Sequence, residues 1–230
     1  MPWLMQYPHL SPYSHCANNP LTYVNPDGRK NLEALQWAKE NMVNKGIKTQ
    51  YQNPWFGGSD NRWTYQIGSI PSRAVCYEAC FMAYLNSGER ILSLLQTGFT
   101  NKNNAFYGRN SGMDWFKAGD GNDRSFVTDI TKGESGDILF MGESEDMEGH
   151  AALLIDAPEK TIIIENGQEI EEVKLTVYTV SSVSEKGSFG QSTYYFRQND
   201  NGDWYIRNMK KHYLFNGYGQ LNEQSDENND

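Results

Sequence analysis

The chain has 230 residues, 38% hydrophobic and 13% aromatic, which is enough to build one folded domain of generous size. Its 29 acidic and 20 basic residues leave a net charge of −9 with no basic stripe, so nucleic acid is not an expected partner. No apolar run reaches the roughly 18 residues that a bilayer crossing needs, and no membrane span is expected.

In chain order, residues 1–28 are rich in Pro, Asn and Tyr and read as an irregular arm on a single domain covering 1–218. The arm lacks a basic start followed by an apolar core, so it is no secretory signal. The chain is expected in the cytoplasm as made, or exported by a specialised route that needs no cleaved signal, or as a processed piece of something longer. His9, His15 and Cys16 are metal-ligand types, but the Cys-x-x-Cys and His-x-x-x-His spacings of zinc sites are missing. No metal and no cofactor is expected.

Leu32, Leu35, Met42 and Val43 recur near helical spacing, and Gly46 ends that helix. "PWFGGSDNRW" follows, a Gly-rich loop whose Trp55 and Trp63 suit stacking on a sugar ring, lining a cleft, or forming a small core of their own. "CYEACFMAYL" reads as an apolar helix that begins at Cys76, with "ERILSLLQTG" and "GMDWFKAG" as further helices. From about residue 126 the pattern becomes β: "SGDILFM", "GHAALLID", "TIIIENG", "EEVKLTVYTVSSV", "STYYFRQ" and "DWYIRNM". Helices first and antiparallel strands later predict an α+β fold. The polar segment 219–230 reads as an acidic disordered tail.

A thiol in the first turn of a buried helix serves either packing or chemistry. The helix N-terminus favours thiolate, and its N–H groups face a developing oxyanion. His150 heads a β run directly after Gly149. If "APEK" turns the chain, residues 166–167 come opposite His150, and Asn166 orients the imidazole that deprotonates Cys76. A register slip of one would substitute Glu165. Cys80, one turn further along, reads as core, and a Cys16–Cys80 bridge remains open.

Cys at a helix start, then Gly136-Asp137-Ile138-Leu139-Phe140, then Gly149-His150 before an apolar strand, resembles papain-like cysteine peptidases of the NlpC type. The sixteen-residue interval from His150 to Asn166 is similar to the papain arrangement. The resemblance covers about residues 70–170. It implies a papain-like fold and a Cys76–His150–Asn166 hydrolase cutting peptide or amide bonds of peptidoglycan stem peptides. Gln66 stands as oxyanion candidate and Tyr77 as a substrate contact beside the nucleophile, with Trp55 and Trp63 at the cleft. The implied partners are a peptidoglycan fragment or peptide and, for an exported antibacterial effector, a proteinaceous inhibitor or immunity protein. The other readings are a non-catalytic binding module, or a protease or acyltransferase acting on protein.

Overall fold

The computed structural model describes residues 31–49, 73–74, 76–86, 111–119, 124–145, 149–180, 187–210 and 212–221. The expected arm, the loop carrying Trp55, Trp63 and Gln66, and the helix expected at 89–98 lie outside the described residues, as do His9, His15 and Cys16.

Helix α1 (Asn31–Ala38) runs on as a π-helical turn, Lys39–Val43. Ala34, Ala38 and Met42, spaced by four, are fully buried, so small side chains rather than Leu32 form its closest face. Gly46, with φ +61°, ends it in the left-handed region. The next described segments are two short parallel strands, β1 (Lys48–Thr49) and β2 (Arg73–Ala74). Helix α2 (Cys76–Leu85) begins two residues after β2. Cys76, Ala79, Cys80, Phe81, Met82, Ala83 and Tyr84 are all buried, as expected of a helix that is apolar on every side. Helix α3 (Ser111–Lys117) and strand β3 (Arg124–Val127) follow.

The remaining strands are β4 (Ile138–Gly142), β5 (His150–Leu154), β6 (Glu159–Glu165), β7 (Gln168–Val180), β8 (Phe189–Gln198), β9 (Trp204–Ile206) and β10 (Leu214–Leu221). The order β10-β4-β5-β7-β8-β9 is antiparallel throughout, and β9 returns to β10 through Leu214↔Tyr205. Six strands therefore close into a barrel. This overturns the α+β, papain-like expectation: among the described residues the chain is mostly β, with few helices. Closure rests on β10, which the sequence pattern missed and which occupies residues assigned in part to the tail. Gly219, Gln220 and Leu221 pair with β3 rather than starting a disordered end.

Alternation along the strands separates two cores. Leu139, Met141, Ala152, Leu154, Val173, Leu175, Val177, Tyr194 and Phe196 fill the barrel. Ala151, Leu153, Tyr178, Val180 and Phe189 face outward and share a second core with Cys76, Cys80 and Phe81 of α2. Tyr84 anchors the helix by donating its hydroxyl to the Gly136 carbonyl at 2.5 Å.

"APEK" does not make the expected hairpin turn. β5 and β6 both run antiparallel to β7, with Leu154 opposite Val177 and Glu159 opposite Lys174. They form one long strand interrupted at 155–158. The turn lies at Asn166–Gly167, both with positive φ (53° and 78°), between the paired Glu165 and Gln168. Asn-Gly suits such a two-residue turn because both central positions need left-handed backbone.

Candidate active site

Cys76 opens α2 and is buried. A chain of backbone contacts fixes where that helix begins. β2 lies on β1, Ile47 accepts the Phe189 N–H at 2.8 Å, and Phe189 pairs with Val180. The start of α2 is thereby tied to the end of β7 and the start of β8. His150 heads β5 at the same barrel end, opposite Met141. The structure thus brings Cys76 and His150 to one end of the barrel.

The His150 side chain follows the parity of Ala152 and Leu154, toward the barrel interior. Its Nε2 lies 2.9 Å from Thr179 Oγ1 and 3.0 Å from the Tyr194 hydroxyl. The ring is parallel to Tyr213, with centroids 6.3 Å apart. Thr179 donates to the Ala151 carbonyl at 3.2 Å, which leaves its oxygen free to accept a proton from the imidazole or from Tyr194. Two proton arrangements satisfy the cluster: Nε2–H donating to Thr179, or Nε2 accepting from Tyr194. Both leave Nδ1 as the ring nitrogen without a polar partner among the described residues.

Burial lowers the His150 pKa from 6.5 to about 4, so the ring is neutral at pH 7. Burial also raises the Tyr194 phenol, with smaller upward pushes from Cys76, Cys80 and Tyr213. Tyr194 is therefore a neutral group that bonds His150. Neither Thr179 nor Tyr194 was picked out by sequence reasoning. The available signal was parity: Val173, Leu175 and Val177 all face inward, and Thr179 continues the series with a hydroxyl.

Asn166 does not meet His150. It sits in the β6–β7 turn, and from Gln168 to Thr179 β7 covers roughly 36 Å at a strand's rise. Glu165 is no substitute, because it pairs there with Arg197. Arg197 also bonds Glu172 at 3.0 Å. Tyr77 lies in α2, and Trp55, Trp63 and Gln66 lie outside the described residues. Cys80 packs beside Phe81 in the outer core, and no bridge joins it to Cys76.

Asp137 organises its own loop: its carboxylate accepts the Glu134 N–H at 2.8 Å and the Gln220 amide at 2.6 Å. Among the described residues no cluster of His, Cys, Asp and Glu is arranged to hold a metal, and no helix is long and apolar enough to cross a membrane. A separate cleft of about 320 Å³ is lined by Lys117, Phe126, Glu145, Asp203, Trp204 and Asn216. Glu145 belongs to the loop between β4 and His150, so this cleft borders the same barrel end. No family model, curated protein or solved structure matches this chain.

Proposed function

We propose that the chain is a thiol hydrolase of peptide or amide bonds, with Cys76 as nucleophile, His150 as base, and peptidoglycan stem peptides as the substrate class. The observation that carries the reading is the clamp on His150. Thr179 and Tyr194 hold Nε2 on the inner side of the barrel end against whose outer side the first turn of α2, with Cys76, is packed. They take the orienting role in place of Asn166.

In the reaction the Cys76 sulfur attacks the carbonyl carbon while its proton passes to Nδ1 of His150. N–H groups at the start of α2 face the oxyanion. The C–N bond breaks as the imidazolium returns that proton to the departing amine. Water, deprotonated by the same nitrogen, then cleaves the thioester, and the proton goes back to the thiolate. With Nε2–H donated to Thr179, the neutral ring leaves Nδ1 unprotonated and ready to begin this cycle. The substrate class is what the resemblance of the Gly-Asp and Gly-His strand order to NlpC-type peptidases implies.

A second reading, a binding module without catalysis, is favoured by the cleft. Trp204 and Phe126 offer aromatic faces, while Glu145, Asp203 and Asn216 offer hydroxyl partners, a composition suited to a saccharide.

Incubating the protein and its Cys76→Ala variant with purified peptidoglycan, followed by mass spectrometry of released fragments, separates the readings. Release by the parent alone supports the hydrolase and identifies the bond. Equal release by both removes Cys76 as catalyst. No release, with retention on peptidoglycan that Trp204→Ala abolishes, establishes the binding module instead.

A further inference from the structure

Past Glu172, β7 leaves β8 and continues with β6 alone, as a two-stranded arm ending at Asn166–Gly167. Among the described residues no strand pairs with the other side of β6. The two-residue turn makes Glu165 and Gln168 a pair that exchanges both backbone bonds. Alternation then makes Ile163/Ile170, Thr161/Glu172 and Glu159/Lys174 the same kind of pair. The N–H and C=O groups of Lys160, Ile162 and Ile164 therefore point away from β7, along the open edge.

The side chains of two of those residues stand in solvent as well, Ile162 at 65% and Ile164 at 76% exposed. Natural edge strands are usually blunted by charge, proline or a bulge. Here the middle of the edge is apolar and regular, with Lys160 as its one charge on that face.

We propose that this edge joins two copies of the chain, β6 pairing antiparallel with β6 of a second copy about a two-fold axis at Ile162. The three outward-facing residues are symmetric about Ile162. Setting Ile162 opposite Ile162 of the second copy sets Lys160 opposite its Ile164, and every outward group finds a partner, about six new backbone bonds. The four isoleucines then form one strip across the joint.

Charge fits the same register. Within the chain Glu165 and Glu172 pair with Arg197, and Glu171 with Lys160, whereas Glu169 has no cation among the described residues. Glu169 is the β7 neighbour of Ile164. Lys160 of one copy, which also pairs with Glu171 of its own chain, thus comes within two strand spacings, roughly 10 Å, of Glu169 in the other, and its long side chain can reach across Ile164. On the opposite face Glu159 would meet Glu165, but each already holds a cation, Lys174 or Arg197.

Sedimentation velocity over a wide concentration range tests this on the full chain. The expected result is a dimer that Ile162→Lys weakens by about tenfold or more, since two lysines then face each other on the axis. Lys160→Glu should weaken it too, and Lys160→Glu with Glu169→Lys should restore it. Far-UV circular dichroism, together with a melting temperature unchanged at concentrations where parent and variants are all monomeric, shows that the barrel is intact. A chain that stays monomeric at every concentration overturns the proposal, and so does a dimer insensitive to Ile162→Lys. Binding of an added basic extended peptide, abolished by Ile162→Lys in a monomeric parent, would assign the edge to a foreign strand and overturn the dimer.

Discussion

The Tyr194 hydroxyl stands 3.0 Å from Nε2 of His150, on a strand that is not a neighbour of the histidine's own. β7 lies between them and contributes Thr179 to the same nitrogen. Three successive strands of the sheet thus fix one imidazole from inside the barrel.

Removing the clamp should therefore impair positioning more than folding. Thr179→Val and Tyr194→Phe each delete one hydroxyl with little change of volume, at an expected cost of about 1 kcal/mol in denaturant unfolding. Fragment release should fall by about tenfold or more in the double variant, with a displaced pH–rate profile that a purely structural defect would not produce. Unchanged rate and profile would exclude these two groups as positioning residues.

The buried histidine also predicts a pH dependence of stability. The folded pKa, about 4, lies below the ordinary 6.5, so below pH 6.5 the unfolded chain binds a proton that the folded chain refuses. This contribution is complete above pH 6.5 and is lost as pH falls toward 4, by about 3 kcal/mol. Melting curves of the parent and His150→Gln across that window should converge toward acid. Parallel curves would show that the ring titrates normally.

Asn166 supplies a contrast between a catalytic and a turn residue. Asn166→Ala puts a less tolerant side chain at φ 53° and should cost about 1 kcal/mol. Fragment release per folded molecule should be unaffected. A loss of activity with stability retained would return Asn166 to the site.

Packing of α3 on β10 can be probed at Gly219. A Cβ there would lie 2.4 Å from the nearest Phe116 ring atom, so Gly219→Ala should cost about 2 kcal/mol by overpacking. Phe116→Leu in the same chain should recover part of that loss in a double-mutant cycle. Additive losses would place the strain elsewhere.

Asn166 also shows where reading the sequence stopped. Asn-Gly between two β runs is a strong hairpin signal, and it makes the β6–β7 turn. With "APEK" taken as the turn, Asn166 was carried to His150. Strand pairing is a long-range choice that short-range turn chemistry only partly constrains. β10 was missed because Gly217 and Gly219 weaken the strand pattern of "LFNGYGQL". Both glycines answer to neighbours remote in sequence: a Cβ on Gly217 would lie 2.5 Å from Phe126.

By itself the sequence determined the buried helix beginning at Cys76, the β character of the runs from Ile138 to Gln198, and His150 at the head of one of them. Those features are local, set by hydrophobic period and by Gly and Pro punctuation. Only the tertiary structure decided that the sheet closes on itself, that Asn166 caps a remote arm, and that Thr179 and Tyr194 hold His150. Closure joins residues far apart in the chain, and the loop entropy that such contacts must overcome leaves no local mark.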